Sequence, residues 1–176
     1  MSMKLSTAEL HTVLLDALGE HAIRHSSIYE KPLIVDLGAP YAWRVKIYLY
    51  NCTNPPGARQ AGEYKSQVIL PGQKRGERGH FELEADTITL LMGFASVTES
   101  IDDGLFVIWE LRKHMNPAYS ANVQVSLSTL LRAYSDPMFA MKKRGNGEWI
   151  VVSTPQHLFE AIKKRVDVDA DILLEE

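Results

Sequence analysis

Two runs decide the fold: "TITLLMGFA", Thr87 to Ala95, and "LFVIWEL", Leu105 to Leu111. Both are apolar, and both are too short for the usual core helix. Each is also bounded by turn signals, so each reads as a buried strand. The segment between them, "TESIDDG", is an acidic turn. A sheet therefore runs through the middle of the chain.

The same signs continue outward from that centre. Toward the N-terminus, "PLIVDLG" is a short apolar strand ended by Gly38 and Pro40. "AWRVKIYLYN" alternates, with Trp43, Val45, Ile47 and Leu49 on one face and Arg44, Lys46, Tyr48 and Tyr50 on the other. Toward the C-terminus, "ANVQVS" is a strand, and Ser126 caps a short helix, "LSTLLRAY". "MFAMKKR", the turn "GNG" and "EWIVVS" form a hairpin.

Helices stand at the two ends. Ser6 followed by Glu9 fits a capping box, and Leu10, Val13, Leu14, Ala17 and Leu18 recur at helical spacing, which predicts a helix over 7–24. Ser153 or Thr154 caps a last helix over 154–165, with Pro155 in its first turn. Residues 166–176 follow as an acidic tail. The sum is an α+β fold, one domain over residues 1–176. Its curved, largely antiparallel sheet of about seven strands spans 32–153.

Composition narrows the setting. The 176 residues are 45% hydrophobic and 23% charged, which is ordinary for a soluble domain with a proper core. The single cysteine, Cys52, allows no internal disulfide and predicts a reducing, cytoplasmic compartment. Glu9, Asp16 and Glu20 interrupt the apolar residues of the N-terminal stretch, so it does not read as a signal peptide. No apolar run approaches a membrane span. The net charge of -3 conceals an uneven distribution. The tail "VDVDADILLEE" holds five of the 22 acids and no base, so the remainder has 19 basic against 17 acidic residues, or +2.

Candidate chemistry gathers around "QAGEYKSQVILPG", Gln60 to Gly72. An extended chain puts Glu63, Lys65 and Gln67 on one face, and Tyr64, Ser66, Val68 and Leu70 on the other. The Glu63-x-Lys65 pair matches the (D/E)-x-K element of Mg²⁺-dependent endonucleases. There, two carboxylates hold the ion, and the lysine activates water or stabilises charge. Asp36 in "LIVDLG" is the best-placed upstream acid, giving Asp36 and Glu63 as metal ligands, Lys65 as the lysine, and Gln67 as a partner for metal-bound water. A plain solvated strand face is the competing reading. Gly62 precedes the pair and the apolar residues follow it, the reverse of the order in such enzymes.

Basic loops flank this strand. Arg59, Lys65, Lys74, Arg75, Arg78 and His80 lie within 22 residues, opposed only by Glu63 and Glu77. Asn51, Asn54, Gln60, Gln67 and Gln73 are interleaved with them. Cations of this kind neutralise phosphates, and carboxamides read base edges. The glycines at 57, 62, 72, 76 and 79 permit close backbone approach or a mobile arm. A further basic group, Arg112, Lys113 and His114, closes a buried strand. Lys142, Lys143 and Arg144 at the hairpin tip read as a solvated charge cluster. Cys52 has no histidine near it in sequence and reads as a buried thiol.

The series "YNCTNPPGARQAGEYKSQVILPGQKRGERGHFEL", then "LLMGFA", "GLFVIWELRKH" and "YSANVQV", resembles a family of bacterial domains linked to restriction-modification and phage-defence loci. The resemblance covers most of residues 41–155. It implies a DNA-facing role, either DNA recognition or restriction endonuclease activity. The leading expectation is a component that binds duplex DNA through Arg59, Lys65, Gln73, Lys74, Arg75, Arg78, Arg112, Lys113 and His114. The alternatives are a Mg²⁺-dependent nuclease using Asp36, Glu63, Lys65 and Gln67, and a protein-interaction subunit of a defence complex. The partners expected are double-stranded DNA and other subunits of such a complex, with no membrane and no cofactor beyond Mg²⁺ in the nuclease case.

Overall fold

The computed structural model describes residues 3–54 and 62–175. In chain order the elements are α1 (Thr7–Leu18), β1 (Ala22–His25), β2 (Leu33–Leu37), β3 (Arg44–Asn51), β4 (Glu63–Val68), β5 (Thr87–Ser96), β6 (Gly104–Trp109), β7 (Ala121–Ser126), α2 (Leu127–Ser135), β8 (Phe139–Lys143), β9 (Trp149–Ser153) and α3 (Leu158–Glu175). Seven strands form one open sheet in the order β1-β2-β3-β5-β6-β9-β8. Only β3 and β5 run parallel; the other neighbours are antiparallel. The remaining strands, β4 and β7, pair with each other as a two-stranded ribbon.

Both faces of the sheet are covered, which explains why its central strands are apolar throughout. On one face, Leu10, Leu14 and Leu18 of α1 and Leu158, Ala161 and Ile162 of α3 pack on Val45, Ile47, Leu49, Met92 and Ile108. On the other, Tyr64, Val68, Val123 and Val125 of the ribbon and Leu130 and Ala133 of α2 pack on Tyr48, Tyr50, Leu91, Val107 and Trp109. The alternation in β3 thus separates two buried faces. Its polar member Lys46 is buried too, and its ammonium donates to Glu82 O at 3.0 Å and to Glu84 Oε1 at 2.9 Å.

The hairpin β8–β9, the cap at Ser126 and the capping box at Ser6 form as their residues dictate. Two expectations at the ends of the chain are corrected. The first helix stops at Leu18 rather than 24, because Gly19 adopts φ 55, and Ala22–His25 pairs with β2 instead. The last helix does not end at 165. Residues 166–175 continue α3, helped by i,i+4 bonds from Lys163 to Asp167 and from Arg165 to Asp169. Among the described residues, no helix is long and apolar enough to cross a membrane.

Candidate nucleic-acid interface

The ribbon is the centre of the candidate site. Its inner side chains Tyr64, Ser66, Val68, Val123 and Val125 are buried, so its other face must turn outward. Register then sets three cross-strand pairs on that face: Glu63 opposite Ser126, Lys65 opposite Gln124, and Gln67 opposite Asn122. The alternation in β4 was legible in the sequence. The contribution of β7 was not, since nothing in "ANVQVS" announces its partner.

Main-chain and side-chain bonds fix the ribbon to the sheet. Thr53 and Lys65 exchange backbone hydrogen bonds at 2.9 and 2.8 Å. Ser66 Oγ donates to Asn51 O at 2.9 Å, and Trp109 Nε1 donates to Gln124 O at 2.8 Å. Such anchoring makes the outer face a rigid platform. Cys52 lies beneath it, and burial pushes its thiol up to about 12. It is inert in that state.

The loop after β4 is pinned rather than mobile. Gln73 Oε1 accepts from Leu70 N at 3.0 Å, while its Nε2 donates to Glu77 O at 2.9 Å and Pro117 O at 3.0 Å. Arg78 donates to Asn116 O at 2.8 Å, and His80 Nδ1 lies 2.6 Å from Asn116 Oδ1. Gly79 leaves room for these contacts, since a Cβ there would sit 2.8 Å from Leu70 Cδ1 and 2.9 Å from Gln73 Oε1 and displace one or both side chains. Gln73 is thus a strut of the loop, while Lys74 and Arg75 stand exposed at its tip. Arg59 lies outside the described residues.

At the other end of the ribbon, the β8–β9 tip closes a cleft of about 290 Å³ lined by Glu63, Gln124, Ser126, Thr129, Lys142 and Arg144, among others. Arg144 is no free surface charge. Its guanidinium donates to Gln124 Oε1 at 3.4 Å and to Glu148 Oε1 at 3.3 Å. Glu148 is fully buried; it also accepts from Glu110 N at 3.2 Å and lies 2.6 Å from His114 Nε2. Burial pushes the Glu148 carboxyl up, but His114, the Glu110 N–H and Arg144 outweigh it and hold the group below its usual range. His114 is therefore committed to the interior, and Lys113 reaches Asn146 O at 3.4 Å on the hairpin turn. Arg112 is exposed beside them.

The structure does not bring Asp36 and Glu63 together. Arg44, at the start of β3, grips Asp36 through bonds of 2.7 and 3.1 Å and holds its carboxyl below the usual range. Lys65 is bridged to Thr53, beyond the far end of β3. Arg44 and Asn51 are seven residue steps apart, about 23 Å along a strand. The antiparallel bridge carries Glu63 further away still. Ligands of one Mg²⁺ sit about 2 Å from it, so these two carboxylates do not share an ion. Among the described residues, no three His, Cys, Asp or Glu side chains gather closely enough to hold a metal.

The model of the methylase-associated X1 family matches residues 44–162, more than half of the chain. The chain belongs to that family. The matched region runs from β3 into α3, so it contains the whole ribbon and the β8–β9 tip. The family's description ties the domain to methylases and hence to a restriction-modification setting. No curated protein and no solved structure matches the chain.

Proposed function

We propose that this methylase-associated X1 protein is a duplex-DNA-binding component of a restriction-modification or antiphage defence system, with the β4–β7 ribbon as its reading face. The observation that carries this reading is the cross-strand alignment of the exposed carboxamides Gln67 and Asn122, with Lys65 two residues before Gln67 on the same outer face. The major groove of duplex DNA admits a two-stranded β-ribbon. Carboxamides pair there with adenine, and lysine pairs with guanine. In this reading Lys74 and Arg75, exposed after one end of the ribbon, and Lys142, lining the cleft at the other, take the phosphates on either side.

The test is a gel-shift series with duplex DNA, methylated and unmethylated, over a range of salt. A ribbon variant, Lys65→Ala with Gln67→Ala and Asn122→Ala, loses sequence preference and about tenfold or more in affinity, at about 1–3 kcal/mol per lost base contact. Arg75→Ala weakens binding evenly across sequences and lowers the salt slope by about 1. Unchanged low-salt affinity in the ribbon variant overturns the assignment.

A further inference from the structure

Large apolar side chains such as Ile23, Tyr29 and Leu83 are exposed singly, which is normal for any protein. One group is different. Leu131 and Tyr134 on α2 are 47% and 45% exposed, Met138 just beyond the helix is 44% exposed, and Ile101 is 44% exposed. Leu131 and Tyr134 are neighbours on one helix face at i,i+3 spacing. The Tyr134 hydroxyl donates to the main-chain oxygen of Asp103, which brings the turn holding Ile101 against the same face.

The core beneath α2 is filled from the opposite side of the helix. The inward side of α2 already buries Thr129, Leu130 and Ala133 in the core. A helix covering a core on one side normally turns a polar face outward; the outward side of α2 carries Ser128, Arg132 and Ser135, but also the two large side chains Leu131 and Tyr134. Around the patch stand Asp102, Asp103 and Asp136, opposed by Arg132, whose guanidinium is 3.7 Å from Asp136. An acidic rim repels the phosphates of DNA. It is complementary to a protein surface rimmed by Lys and Arg.

We infer that the Ile101–Leu131–Tyr134–Met138 face docks the methylase with which this family is associated, through apolar side chains ringed by basic residues on the methylase. Exposed aromatic and aliphatic anchors inside a charged rim are the usual layout of a protein interface. Because α2 follows β7 directly, the partner sits beside the ribbon. The inference rests on the family association and not on DNA binding, so the two fail separately.

The experiment is sedimentation velocity of the purified full chain mixed with the purified methylase of the same system, without DNA. The expected result is a complex that weakens as salt rises. Leu131→Glu with Tyr134→Glu weakens it by about tenfold or more, as removal of an interface anchor does. Asp102→Lys with Asp136→Lys weakens it with the apolar patch intact. Leu131→Glu alone, which leaves the Tyr134–Asp103 hydrogen bond and the Arg132–Asp136 pair in place, weakens the complex while keeping the wild-type melting temperature. No complex in the wild-type mixture overturns the inference, as does methylase affinity unchanged in these variants. So does wild-type self-association that Leu131→Glu abolishes while methylase binding persists.

Discussion

The ribbon face and the cluster around Glu148 are built from the same kinds of side chain, yet they are used in opposite ways. On the ribbon, Gln67 and Asn122 point outward as an exposed pair. Where the sheet meets α3, the charged groups turn inward and saturate one another. Arg165 is fully buried; it binds Asp169 Oδ1 through Nη2 at 2.6 Å and Nε at 3.0 Å, donates to Trp149 O, and lies 3.9 Å from Glu110. Burial holds the Asp169 carboxyl above its usual range despite the adjacent arginine. Residue type therefore does not decide whether a polar group is structural or available. Whether it has an internal partner does.

Three measurements press on that contrast. The largest effect belongs to Arg165→Met, which strips the buried partner from Asp169 and Glu110. It costs about 3–5 kcal/mol in a denaturant titration, as breaking one side of a buried ion pair does. A loss below about 1 kcal/mol would dissolve the distinction between the two regions.

The next effect is on acid stability. The Glu148 carboxyl is lower in the folded state than in the unfolded one, so its contribution is present above the ordinary glutamate value and is lost as pH falls through the folded value. His114→Ala removes its nearest side-chain partner and moves the acid-unfolding midpoint to higher pH, read by circular dichroism. An unmoved midpoint would show that Arg144 and the Glu110 N–H suffice.

The smallest effect is on the ribbon. Lys65→Ala changes unfolding free energy by about 0.5 kcal/mol or less, as surface substitutions away from buried features do. A larger loss would make Lys65 a strut like Gln73.

Much of the fold was legible because it depends on local signals. Continuous apolar runs announced β5 and β6, the Gly145-Asn146-Gly147 turn announced β8–β9, and Ser6 with Glu9 announced α1. The helix ends were less legible, since Gly19 sits among residues that keep helical spacing, and the acids after Arg165 suggest a solvated tail. The i,i+4 spacing of Lys163 with Asp167 and of Arg165 with Asp169 was the available sign that the helix continues. In the candidate site, the alternation of Glu63, Lys65 and Gln67 was readable, whereas their pairing with β7 depends on contacts between distant segments. The same limit hid the internal work of Gln73, Arg78 and His114, whose partners lie 34 to 44 residues away. It also hid that Asp36, expected as a metal ligand, is gripped by Arg44, eight residues on.

The wide sequence separation of the ribbon's strands has a consequence for how the surface comes into being. Glu63 pairs with Ser126 and Val68 with Ala121, and β5 and β6 are laid down between them. A nascent chain that has emerged only as far as β6 therefore has a β4 without a mate. Closing a loop of that length is deferred until the intervening strands have brought its ends together. A chain truncated before Ala121 thus lacks the outer face. The polar platform therefore cannot form before β7 has been made.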